Sequence, residues 1–274
     1  MMRTVSILGV GWLGLPLARK LIGRGYKVKG SVTSEEKMEL LQQTAIWPFR
    51  VVASSVGLQV NDPKFFDTDV LIISIPPRRT ADVEDIFPAQ IRHLIAYLEK
   101  TTIRKIIFIS STSVYPESWG VAKETDVLLP EKPSGRALLD AENQFRLNPH
   151  FQTTIIRFGG LIGADRNPAR FLSRRTEAVG GSKPVNLIHQ DDCIAIIMEI
   201  IRQNMWGETF NACCPEHPSR KEFYLKASAV SGIPAPHFSD EKEPYKIVDS
   251  RKLIRFLDYK FKYPSPMSYL GAEF

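Results

Sequence analysis

Gly9-Val10-Gly11-Trp12-Leu13-Gly14 follows the apolar run Val5-Ser6-Ile7-Leu8 and opens a helix-like segment from Leu15 to Ile22. The order is strand, glycine turn, helix, and each glycine has a physical task. Gly9 supplies the backbone angles of a tight turn. Gly11 leaves no side chain between the backbone and a pyrophosphate, and Gly14 lets the helix approach the strand. The N–H groups and positive dipole end of such a helix face phosphates. The chemistry this spacing predicts is dinucleotide binding, with Gly9, Gly11, Trp12, Leu13 and Gly14 at the cofactor.

Two further segments follow predicted strands. The first is Gly30-Ser31-Val32-Thr33-Ser34. An NAD-selective site usually places an acid here for the ribose hydroxyls, and none occurs before Glu35. Ser31, Thr33 and Ser34, with Lys37 nearby, leave room for a 2′-phosphate, so NADP is slightly favoured over NAD. A helix N-cap role for Ser34 is compatible with this. The second is Ser74-Ile75-Pro76-Pro77-Arg78-Arg79. Its prolines stiffen a loop whose backbone, at Ser74, Ile75 and Pro76, would lie along the cofactor. Arg78 is a candidate for an anionic substrate, although paired arginines are commonly just solvated.

The elements that must position these residues alternate through the first half. Strands are predicted at Val28–Val32, Arg50–Ala53, Asp69–Ile75, Lys105–Ile109 and Thr153–Phe158, and helices at 34–42, 82–99 and 134–147. This rhythm argues for an α/β protein with a doubly wound parallel sheet. The second half is less regular: a strand-like Val185–His189, a helix from Asp191, a short Phe210–Ala212 and a helix from Ser219 to about Val230. The expected organisation is a dinucleotide-binding domain over 1–158, completed by 185–213. A small mixed substrate lobe would come from 159–184 and 214–274.

Composition narrows the classes. The chain has 274 residues and a formal charge of +6, with its basic residues interleaved with acids. Nucleic acid is therefore a poor partner, and attraction for a small anion is the milder inference. Cys193 and the pair Cys213-Cys214 have no metal-ligand spacing and form no disulfide framework. No metal is expected, and reduced thiols fit a cytoplasmic protein. No segment is long and apolar enough to span a membrane.

Phe108-Ile109-Ser110-Ser111-Thr112-Ser113-Val114-Tyr115-Pro116 and Leu187-Ile188-His189-Gln190-Asp191-Asp192, taken with the glycine turn, resemble the extended short-chain dehydrogenase/reductase family. That family includes the sugar-nucleotide epimerases and dehydratases. Arg157–Gly163 and the tail from Asp249 to Pro264 are similar to its later segments, so the resemblance covers nearly the whole chain. It implies a Rossmann-type fold with a C-terminal substrate lobe, NAD or NADP as cofactor, and a homodimer through the 82–99 and 134–147 helices. Ser111 matches the family serine that hydrogen-bonds the reacting oxygen. Tyr115 and Arg166, like Arg157 and Arg170, fall near the substrate in the family pattern. Tyr115 as a packing residue is the plainer alternative. For His189 and Asp191 the plainer account is a structural hydrogen bond and a helix cap.

The departures matter as much. The first turn is GxGxxG where most members carry GxxGxxG. The family's Tyr-x-x-x-Lys dyad, a lysine-tuned phenol that moves the proton, is absent: Ser134 and Leu138 take those positions. Thr112 and Ser113 stand where dehydratases carry an Asp-Glu pair, which argues against sugar-nucleotide dehydration. Two readings follow. One is an atypical oxidoreductase or epimerase acting on a small polar, anionic or nucleotide-sugar-like molecule. The other is an NAD(P)-binding sensor that keeps the fold without turnover. A β-hydroxyacid dehydrogenase also opens with GxGxxG, but it needs a long helical second domain that this chain lacks.

Overall fold

The computed structural model describes residues 3–78, 80–126, 130–163, 166–172, 176–239, 241 and 243–270. In chain order the first elements are β1 (Thr4–Leu8), α1 (Gly14–Ile22), β2 (Lys27–Val32), α2 (Glu35–Gln42), β3 (Trp47–Ser54), β4 (Gly57–Val60) and β5 (Val70–Ile73). There follow α3 (Val83–Leu98), β6 (Lys105–Ser111), β7 (Gly120–Ala122), α4 (Pro133–Arg146), β8 (Gln152–Phe158), β9 (Gly160–Ile162), β10 (Glu177–Ala178) and β11 (Leu187–His189). The remainder is α5 (Gln190–Gln203), β12 (Thr209–Ala212), α6 (Arg220–Ser231), β13 (His237–Phe238), β14 (Lys246–Val248), α7 (Arg251–Leu257) and α8 (Pro266–Tyr269).

The central sheet has eight strands in the order β12-β8-β6-β5-β1-β2-β3-β4. The β1–β2, β1–β5, β2–β3 and β5–β6 pairs are parallel. Sequence reasoning anticipated this core but not β4, which pairs antiparallel with β3. Only Ser55 and Val56 separate those two strands, too few residues for a parallel crossover, so the chain turns back as a hairpin. The central strands β1 and β5 are almost wholly buried and apolar, as a sheet covered on both faces requires.

Two compact units emerge: Met1–Val114, Pro130–Ile156 and Ile197–Thr209 form one, and Tyr115–Leu129, Arg157–Ile196 and Phe210–Phe274 the other. In the first unit α1 buries Leu17, Ala18 and Leu21, and Pro16 is tolerated in the first turn, where its missing N–H has no helical acceptor. Helices α3 and α4 pack together, with Arg136 bidentate on Glu84 at 2.6 and 2.7 Å.

The second unit is built from short parallel pairs, β7 with β14, β9 with β11 and β10 with β13. Its core gathers Ile162, Val185, Phe223, Tyr263, Tyr269 and Leu270. The Ser219-x-x-Glu222 pattern forms a reciprocal capping box on α6, and Gly232 closes that helix at φ +63°.

Candidate functional site

Strand β1 lies between β2 on one side and β5 on the other, so the strand order reverses there, the usual ligand position in an open parallel sheet. The carboxyl ends of β1, β2 and β5 form a cleft of about 340 Å³ within the first unit. Its walls bring together Gly9, Val10 and Gly11 from the first turn, Ser31, Thr33 and Lys37 from the second, and Ser74, Ile75, Pro76 and Arg78 from the third. The cleft also takes in Val51 and Ala53 of β3 and Gln90 of α3, which no local motif marks in the sequence.

The glycine turn has the expected geometry. Gly9 has φ +100°, and a Cβ there would meet the Ser74 carbonyl oxygen at 2.7 Å. A Cβ on Gly14 would meet the Gly9 carbonyl oxygen at 2.5 Å and Ile7 Cγ2 at 3.3 Å, so α1 approaches β1 as only glycine allows. Around Gly11 nothing lies within 4 Å of a Cβ position, which leaves room for a ligand against the backbone. Helix α1 has no side-chain N-cap and no acid in its first turn, so its own residues set no carboxylate against an anion at its positive end.

Several expected contacts have other places. Trp12, Leu13 and Gly14 belong to the turn and helix start but are not cleft walls. Ser31 is fully buried, and its Oγ accepts the Gly9 N–H at 3.1 Å while its carbonyl accepts the Val10 N–H at 2.9 Å. Its hydroxyl therefore braces the turn. Ser34 occupies the N-cap position of α2 with extended backbone but makes no side-chain cap bond. Arg79 lies outside the described residues.

Ser111 ends β6, and its Oγ accepts the Ser113 N–H at 3.2 Å, which leaves the hydroxyl hydrogen for another partner. Its neighbour Ser110 is buried and donates to Glu142 Oε1 at 2.6 Å. Helix α4 sits close against the Thr112–Val114 turn: a Cβ on Gly135 would collide with the Ser113 carbonyl oxygen. Ser134, half-buried, and Leu138, buried, thus stand on the helix beside that turn, with neither phenol nor amine at those two positions.

Tyr115, for which the sequence offers a substrate contact or, more plainly, a packing role, is buried in the second unit. Its OH donates to Asn211 Oδ1 at 2.8 Å and accepts from Arg157 Nη1 at 2.6 Å, and the guanidinium lies 5.1 Å from the ring centroid. Burial pushes its phenol up to about 12, against the lowering effect of Arg157. Such a phenol remains neutral and serves packing. Arg157 is correspondingly buried rather than facing a substrate. Arg166 is half-buried in a bridge with Gly163, and Arg170 is exposed.

His189 is also structural. Its Nδ1 accepts the Asp191 N–H at 3.1 Å, and its ring lies 4.2 Å from Tyr263 and 4.6 Å from Tyr269 by centroids. The imidazole, not Asp191, supplies the acceptor at the start of α5. Asp191 pairs with Lys262, and the fully buried Asp192 accepts from Tyr259 OH and from the backbone N–H groups of Lys262 and Tyr263. The His-x-Asp-Asp element therefore ties the C-terminal tail to α5. Among the described residues, no group of three or more His, Cys, Asp or Glu could hold a metal ion, and no helix is long and apolar enough to cross a membrane.

Comparison with known proteins accords with this geometry. No family model matches the chain. The UDP-glucuronic acid 4-epimerase of Bacillus cereus, solved with NAD, superposes with a TM-score of 0.80 at 21% identity, covering 98% of this chain and 95% of that one. A conserved protein of unknown function from Silicibacter pomeroyi superposes at 0.79, also at 21% identity, over 99% and 98% of the two chains. At these identities the likeness shows the fold, a Rossmann-type parallel sheet that the NAD-bound epimerase shares. Protein YeeZ of Escherichia coli K12 is 33% identical over 270 residues, 97% of this chain and 98% of the relative. The chain belongs to the YeeZ family.

Proposed function

We propose that this chain binds a nicotinamide dinucleotide and acts as an atypical oxidoreductase or epimerase on a small polar substrate, anionic or nucleotide-sugar-like. The observation that carries the reading is the turn Gly9–Gly14 at the reversal of strand order: closed to side chains at Gly9 and Gly14, open at Gly11. These residues fit a pyrophosphate, and the NAD-bound epimerase of the same fold supports the assignment. When bound, the nicotinamide supplies or accepts the hydride.

The chain's own groups would do the rest. Thr33, Lys37 and Arg78 line the cleft without an acid among them, which suits a 2′-phosphate and favours NADP. Ser111 would donate its free hydroxyl hydrogen to a carbonyl or hydroxyl oxygen of the ligand. Helix α4 brings Ser134 and Leu138 in place of a phenol and a lysine, so a proton would have to move through water or a non-standard group. That same replacement favours the second reading, a cofactor-binding sensor without turnover.

Calorimetric titration with NADPH, NADP, NADH and NAD tests the binding step. Tight binding of the phosphorylated pair is expected, and loss of that preference in Lys37→Glu. Binding of none of the four would overturn both readings. If turnover is found, Ser111→Ala should abolish it with cofactor affinity intact; equal loss of both would remove Ser111 from the chemistry.

A further inference from the structure

At the opposite end of the same strands the first unit has a second cavity, of about 570 Å³, within the range of small-molecule sites. It shares no residue with the glycine cleft. Its walls are strand starts: Arg3 precedes β1, and Lys27, Trp47 and Lys105 are the first residues of β2, β3 and β6. Parallel register sets Lys27 opposite Thr4 and Trp47 opposite Lys29, so the sheet itself fixes how these side chains converge.

The lining is strongly cationic. Arg3, Lys27, Lys29, Arg104 and Lys105 face only Asp67 and Asp69. Asp69 is engaged by the Thr4 N–H at 2.7 Å. Lys29 is buried and donates to the Lys64 and Asp67 carbonyls, a structural role. Arg104 is anchored at the rim through Nη1 to the Thr101 and Ile103 carbonyls at 3.1 and 2.8 Å. Among the described residues no carboxylate lies within ion-pair distance of any of the five cations.

Two indoles complete the cavity. Trp47 is 54% exposed, an unusual position for the largest side chain and a flat surface on which a ring can stack. Trp206 has the Lys105 ammonium 5.3 Å from its ring centroid, and its buried Nε1–H has no acceptor among the described residues.

We propose that this cavity is a second ligand site, selective for a nucleotide: phosphates held by Lys27, Lys105 and Arg104, and a base stacked on Trp47. Converging cations with no carboxylate partner among the described residues suit phosphate oxygens, and the adjacent indole selects against inorganic anions alone. The site does not rest on the cofactor reading, because the two cavities are separate.

The chain has four tryptophans, so indole N–H resonances of the labelled 274-residue chain report where a ligand binds. Titration with ATP should shift the Trp47 and Trp206 signals saturably. Inorganic tripolyphosphate should bind more weakly. The Lys27→Glu/Lys105→Glu variant should weaken ATP about tenfold or more, since charge-assisted contacts become repulsive. Lys27→Gln, a milder change at an exposed strand start, repeats the test should the double variant fail to fold. Shifts confined to Trp12 in the glycine turn, shifts that persist unchanged in both variants, or no shift at Trp47 and Trp206 would overturn the proposal.

Discussion

Gly14→Ala and Gly11→Ala should separate two roles that the glycine turn combines. In Gly14→Ala the new methyl group would stand 2.5 Å from the Gly9 carbonyl oxygen and 3.3 Å from Ile7 Cγ2. The carbonyl cannot swing aside freely. Gly9 is held by Ser31 Oγ at 3.1 Å, and its oxygen already accepts the Gly11 N–H at 3.0 Å. Helix α1 must therefore move away from β1, and overpacking of this kind costs about 1–3 kcal/mol. For a chain of this size that is a fall in Tm of roughly 2–10 °C. Gly11→Ala adds its methyl to open space, and Gly11 has no positive φ to strain an alanine. Its stability should stay within about 0.5 kcal/mol of the parent. The methyl would instead occupy the space left for the pyrophosphate, weakening NADPH binding by about tenfold or more. Differential scanning fluorimetry and calorimetric titration on both variants make the assay. Full NADPH affinity in Gly11→Ala, or an unchanged Tm in Gly14→Ala, would refute this account of the turn.

Asp192→Asn should destabilise the chain by about 2–3 kcal/mol in chemical denaturation, because hydrogen bonds to a buried charged acceptor are the strong ones; it removes the carboxylate bound by Tyr259, Lys262 and Tyr263. Limited proteolysis should then cut first after residue 257. Stability should fall in alkali: the Tyr115 phenol is raised from 10 to about 12 on folding, so its contribution is complete below pH 10 and lost as pH rises through about 12. Tyr224, raised by burial, acts in the same direction. Tyr115→Phe should lower stability at neutral pH, since Arg157 and Asn211 lose a partner, and flatten the decline between pH 10 and 12; an unchanged alkaline slope would contradict this. Cys193, Cys213 and Cys214 are buried with their thiols raised by desolvation, so a thiol reagent should label none in the native protein and three after denaturation.

The glycine turn was legible in the sequence because its constraints are local. A positive φ at Gly9 and a close approach at Gly14 are demands that one residue type meets, and they recur at fixed spacing after a strand. The same holds for the Ser219–Glu222 capping box, and for β5 and β6, whose unbroken apolar runs mark burial on both faces. For Tyr115 the sequence offers packing as the plainer role, but not the partners that hold it. Beside a serine-rich strand end it looks available to a ligand, yet its OH is taken up by residues 42 and 96 positions away. Ser31 likewise reads as a cofactor hydroxyl until Gly9 is found across 22 residues.

The sequence by itself determined the α/β alternation, the dinucleotide-type turn, and the absence of a tyrosine–lysine pair on α4, because each depends on residue type and short-range order. Only the tertiary structure decided the antiparallel β4, the structural roles of Tyr115, Arg157, His189 and Asp192, and the gathering of Arg3, Lys27, Trp47 and Lys105 at one end of the sheet. Those depend on strand order and register, which bring together groups tens of residues apart, and no local periodicity encodes that pairing.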